Sequence, residues 1–286
     1  MTTDNWKTLE FPDKDELIKA RHQFHQAIQN VGCVGRSFLP ASSGDVNANL
    51  DWDAKLQRLA SRWITGELVF RSSFSLSEFS VYLVDELFHT ISHFPLQGKK
   101  QIDVMIWLEE QIDMLGLDSS QLSLKLPYEI PEYPTAKREA FQVDSEVAGK
   151  EFEALFHNTN LVLQKVVDGI EGASEIKCWP HHFDIASLIT LADTGDPETS
   201  KSINLGMSPG DSSYDEPYFY ISPWPYPVEE LPDISATGGF WHEHNWVGAV
   251  LRVSDIRDKQ SAGEQHDAVL NFFQQGLKAL MSIIKV

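Results

Sequence analysis

Histidine and tryptophan side chains are densest between positions 179 and 246, where Trp179, His181, His182, Trp224, Trp241, His242, His244 and Trp246 lie, with the carboxylate of Asp184 near His182 in sequence. A strand over 240–253 would place His242 and His244 on one face, because side chains repeat every second residue. A strand over 176–192 would do the same for His182 and Asp184. If those two strands are neighbours in register, His182, Asp184, His242 and His244 form a ligand set suited to zinc or a similar divalent ion. That set would support a metal-dependent, hydrolytic enzyme. The plainer alternative is a group of hydrogen-bonded histidines at a strand end, held by nearby aromatics.

Other patterns carry weaker chemistry. His89 and His93 have the spacing of a helical zinc pair, but Thr90 stands where such hydrolases carry a glutamate base, and Pro95 opposes a helix. His22 and His25 have no acidic partner in register and read as solvated. Gly206-Met207-Ser208-Pro209-Gly210 matches the letters of a nucleophile elbow. The elbow needs the backbone N–H after the serine, and Pro209 has none. Tyr218 and Tyr220 alternate with Phe219 and Ile221. With Trp179, His182, Asp184, Trp224 and Trp241 they are candidates for lining a small-molecule cleft, and equally for a core whose polar tips are satisfied.

The elements that must position these groups read as follows. A helix over 13–31 has Leu17, Ala20, Phe24, Ala27, Ile28 and Val31 on one face and Gly32 as its stop. Arg36 to Pro40 reads as a short strand, 51–59 as helical or irregular, and 63–85 as extended. A helix over 100–115 has Ile102, Met105, Ile106, Ile112 and Leu115 as its stripe. The proline-bearing connector 127–134 suits an extended arm between an N-terminal half, 1–126, and a C-terminal half, 127–286, packed as one unit. A long helix over 145–170, strands at 176–192, 202–207, 218–222 and 240–253, and a helix over 263–284 complete the chain. The expected class is α+β, with a largely antiparallel sheet flanked by amphipathic helices and a helix–strands–helix order suggesting internal duplication.

Composition excludes several roles. The 286 residues are 42% hydrophobic and 23% charged, a globular balance. A formal net charge of −19 disfavours nucleic-acid and membrane-surface partners, which need surplus Lys and Arg. Two cysteines, Cys33 and Cys178, do not make a disulfide scaffold. The N-terminus lacks the pattern of a signal peptide, and no apolar run spans a bilayer, so a cytoplasmic protein is expected.

Four segments carry a family resemblance: Phe24-His25-Gln26-Ala27-Ile28-Gln29 with Gly35-Arg36; Pro127-Tyr128-Glu129-Ile130-Pro131; His182-Phe183-Asp184-Ile185-Ala186; and Leu205 to Asp211 with Pro217-Tyr218-Phe219-Tyr220 and Pro223. In these the chain resembles the uncharacterised bacterial family catalogued as domain of unknown function 5996. It departs from that family in the N-terminal half, where a Trp/His-rich strand is missing and residues 51–62 differ. The resemblance implies a shared fold and marks His182, Asp184, Gly210 and Asp211 as parts of the family pattern, but it supplies no activity. The reading that follows is a protein that binds a small molecule in an aromatic- and His-lined cleft of the C-terminal half. A metal enzyme, and an interaction module using the Pro/aromatic segment 217–227, stand as alternatives.

Overall fold

The computed structural model describes residues 5–196 and 198–284. The fold is α+β, and the chain divides into two compact units. One comprises Pro12–Glu153 with Lys177–Phe183; the other comprises Met1–Phe11, Ala154–Ile176 and Asp184–Val286. The division falls inside the helix Glu146–Val167 and after Phe183, not at the 127–134 connector. The connector belongs wholly to the first unit because its tyrosines are hydrogen-bonded to that unit's first helix.

In the first unit, α1 (Lys14–Phe38) begins at Asp13, whose carboxylate accepts the Asp15 and Glu16 amides. Gly32 does not stop it, and the strand expected over Arg36–Pro40 is the helix's last turns, ended by Leu39 and Pro40. Gly32 and Gly35 serve close approach instead. A Cβ on Gly35 would sit 2.5 Å from the Asn47 carbonyl, and one on Gly32 would lie 3.3 Å from both the Ala48 carbonyl and Pro180. Six antiparallel strands follow: β1 (Asp51–Asp53), β2 (Arg58–Ala60), β3 (Ile64–Thr65), β4 (Val69–Ser75), β5 (Ser80–Asp85) and β6 (Thr90–Pro95). Their order is β1-β2-β4-β5-β6, with β3 on β4.

Residues 51–59 are therefore a hairpin, whose turn is closed by Asp53 accepting the Lys55 and Leu56 amides. Phe24 of α1 packs edge-on against Phe74, Phe79 and Phe152. In α2 (Gln101–Met114) the buried residues are Val104, Met105, Leu108 and Ile112, while Ile102 and Ile106 face outward. The short strand β7 (Lys177–Trp179) is tied to Leu50 through Cys178.

The second unit follows α3 (Glu146–Val167) with β8 (Asp184–Ala192), β9 (Lys201–Ser208), β10 (Tyr218–Trp224), β11 (Phe240–His242), β12 (Gly248–Arg252) and α4 (Ala262–Ile283). These strands are antiparallel, in the order β8-β9-β10-β12-β11. One face packs under α4: Phe219 meets Phe273 edge-on, and Gly276 leaves room for Ile221. A reciprocal Ser261–Glu264 capping box starts α4. The helix–strands–helix order recurs, with β2-β4-β5-β6 in one unit and β8-β9-β10-β12 in the other sequentially stacked antiparallel strands. Among the described residues no helix is long and apolar enough to cross a membrane.

The approach of α1 to the turn Ser43–Ala48 generates a prediction. Gly35→Ala should lower unfolding stability by about 1–3 kcal/mol, because the methyl group meets backbone that cannot rotate away. Urea denaturation checks this; an unchanged midpoint would show that the approach is not tight.

Candidate functional site

Each of the two extended segments nominated for metal binding is interrupted. The first breaks after β7 into a turn, where the His182 and Phe183 amides both bond the Trp179 carbonyl and Phe183 has φ 59°. His182 is therefore a turn residue, and the alternation with Asp184 is lost. The second breaks after His242. His244 sits in the loop between β11 and β12, so the two histidines do not share a strand face. Moreover, β8 is separated from β12 and β11 by β9 and β10.

His242 is fully engaged. Its Nε2 donates to the His244 carbonyl at 2.6 Å, Nδ1 accepts from Tyr214 Oη at 2.8 Å, and the ring stacks on Trp246 at 4.3 Å. Asp184 is buried and accepts from Tyr220 Oη at 2.5 Å. Among the described residues no group of three or more His, Cys, Asp or Glu side chains is placed to hold a metal ion, so His182, Asp184, His242 and His244 form no ligand set.

The nominated aromatic residues also separate. Trp179 and His182 belong to the first unit. Tyr218 and Tyr220 do share a face of β10, as alternation predicts, and pack with Ala186 and Val250. Tyr218 donates to Asp211 at 2.6 Å, as Tyr220 does to Asp184, and burial beside these carboxylates pushes both phenols far up. Trp241 donates to the Pro232 carbonyl, and Trp224 lies edge-on to Tyr226 at the end of β10. These are packed or edge aromatics with satisfied tips. Ser208, the serine of the false elbow, ends β9 and accepts the Gly210 amide. His93 lies on β6, stacked on Tyr82.

A cavity of about 690 Å³ opens in the first unit, bounded by Arg36, Asp45, Lys125, Leu126, Tyr128 and His181 among others. Arg36, from the last turn of α1, lines it, and shares one stripe of that helix with His25, Gln29 and Gly32, spaced four, three and four residues apart. His25 is buried, contrary to the solvated reading, and His22 stacks on Tyr133. The Pro180 carbonyl can only accept, so the His25 contact at 2.9 Å requires the proton on Nε2; Nδ1 then accepts from Tyr133 Oη at 2.8 Å. Burial is the main cause that drives the His25 ring down to about 4, keeping it neutral.

Gln29 Nε2 donates to the same carbonyl at 2.7 Å, and its Oε1 accepts from Tyr128 Oη at 3.3 Å. Gly32 lets Pro180 approach the helix. Arg36 holds Asp45 in a fork, Nε to Oδ1 at 2.9 Å and Nη2 to Oδ2 at 2.6 Å, and Nη2 reaches Tyr128 Oη at 3.0 Å. The His181 ring lies 5.3 Å from that of Tyr128 and 4.1 Å from that of His182. Desolvation, with His182 beside it, takes His181 down to about 4, while burial lifts Tyr128 to about 12.

The hydroxyl groups around the cavity are already engaged. The Ser42 hydroxyl is engaged by Asn47, accepting its amide at 3.0 Å and donating to its Oδ1 at 3.3 Å. Tyr128 already accepts from Arg36 and donates to Gln29. Sequence reasoning missed His25, Gln29, Arg36, Asp45, Lys125 and His181 as a group, although Tyr128, Arg36 and His25 stand in the segments that carry the resemblance. Comparison of the chain with family models, with curated proteins and with solved structures gave no match.

The buried neutral His25 sets a pH dependence. Its folded value lies below its ordinary 6.5, so the unfolded chain takes up a proton first as pH falls. Its stabilising contribution is complete above about pH 6.5 and is lost progressively down to about pH 4, on the order of 3 kcal/mol in all. Unfolding free energies at several pH values should fall more steeply from pH 6.5 to 4 in the wild type than in His25→Asn, which keeps only the contribution of the other depressed histidines, His22 and His181. Parallel curves would contradict it.

Proposed function

We propose that the protein binds a small organic molecule in the Arg36–Tyr128–His181 cavity. The observation that carries this reading is the convergence on one cavity of three chain segments distant in sequence: the end of α1 with the turn after it (Arg36 to Asn47), the Lys125–Tyr128 run and the turn at His181. Its volume, about 690 Å³, lies within the usual size of ligand pockets. Ala41, Leu126 and Pro127 supply apolar wall, and a few fixed polar groups supply direction. The resemblance supports the same place in so far as Arg36, Pro127 and Tyr128, which stand in its segments, line the cavity. The strongly acidic surface supports a soluble, cytoplasmic protein without nucleic-acid partners.

A second reading is favoured by one observation. Trp224, Tyr226 and Val228 are exposed at 37%, 39% and 97% at the end of β10, an apolar patch suited to a protein partner.

The cavity reading is tested by filling the cavity. Ala41 is exposed in its wall, so Ala41→Trp should occupy the space with little effect on stability. Fragments detected on the wild type by saturation-transfer NMR should lose their signal on the variant while its melting temperature is unchanged. Hits retained on Ala41→Trp would place the binding elsewhere.

A further inference from the structure

We infer that the ligand of the Arg36–Tyr128–His181 cavity is a small organic anion, its negative group held by Lys125 and Arg36 and its body lying on Leu126, Pro127 and the Tyr128 ring. This rests on the cavity reading above and adds the chemical class.

The argument is an account of which polar groups around the cavity are already spent. Asp45 is the one carboxylate in the lining, and both its oxygens are taken by the Arg36 fork. Ser42 and Asn47 satisfy each other. Tyr128 Oη is used twice. The unspent groups are of the opposite character. Arg36 Nη1 is buried with no hydrogen-bond partner among the described residues. Lys125 is exposed, and its ammonium makes no hydrogen bond or ion pair among the described residues. The His181 ring makes ring contacts with Tyr128, Trp179 and His182 but no hydrogen bond among the described residues, leaving one donor and one acceptor for a ligand.

With Asp45 neutralised by Arg36, Lys125 gives the lining a net positive charge in a chain of net charge −19. A cationic ligand would find no free carboxylate there. A neutral one would leave the Arg36 and Lys125 donors without a charged acceptor. A carboxylate or phosphate pairs with the exposed Lys125 ammonium through charge-assisted hydrogen bonds and lies in the field of the Arg36 guanidinium.

The test uses carboxylate and amide twins of one shape, benzoate with benzamide and succinate with succinamide. Each is titrated into the intact protein while the His181 Cε1–H signal is followed by NMR. At least one carboxylate should shift that signal with a Kd about tenfold or more below that of its amide. The advantage should shrink in Lys125→Met, which removes an exposed charge and no internal hydrogen bond. It should also shrink in about 1 M salt, where charges are screened within about 3 Å. Amides that bind as tightly as their carboxylates would overturn the anion inference and leave the cavity reading standing. If neither member of either pair moves His181, the cavity reading fails together with the inference.

Discussion

One carbonyl organises the first unit's cavity. Pro180 O accepts from both His25 Nε2 and Gln29 Nε2, so both lone pairs of a buried acceptor are used by adjacent turns of α1. Each bond contributes about 0.5–1.5 kcal/mol net, but leaving that carbonyl unpaired would cost more. The turn at 180–183 is thereby fixed on the helix. Proline in the turn and glycine at position 32 let the backbones approach closely enough for the bonds to form. His181, next in the chain, is carried to the cavity wall. The same helix stripe then reaches Tyr128 through Gln29 and Arg36, so one face of one helix holds both Tyr128 and the turn that carries His181.

The second unit handles polar aromatics differently. On the sheet face away from α4, Tyr218 and Tyr220 each end on a carboxylate, Asp211 and Asp184, and His242 has a partner on both ring nitrogens. With both ring nitrogens filled by the protein, His242 has little left for a ligand or a metal. It stabilises a particular register of strands instead. Vocabulary that looks catalytic in the sequence is here the means by which buried polar atoms are satisfied.

How far the sequence disclosed this depends on the residues. Helical stripes such as Leu17, Phe24, Ile28 and Val31 are unambiguous, because burial of one face is decided by period alone. The α+β class and the alternation of Tyr218 and Tyr220 against Phe219 and Ile221 followed from the same logic. The failures have local causes. Gly32 reads as a helix stop, since sequence does not show that another backbone must approach there. Two long extended segments hid turns at 180–183 and 243–247, and a single turn is enough to break a shared face. His25 lacked an acidic neighbour in sequence and seemed solvated, yet its partners, Tyr133 and Pro180, are 108 and 155 residues away. The cavity was invisible for that reason: its components meet only through tertiary structure.

The clamp on Pro180 is tested most directly by the nitrogen chemical shifts of the His25 ring across pH, in protein labelled with ¹⁵N-histidine. The account predicts a proton on Nε2, none on Nδ1, and no titration until pH falls to about 4. A ring protonated on Nδ1 when neutral, or one that titrates near its ordinary 6.5, would contradict it.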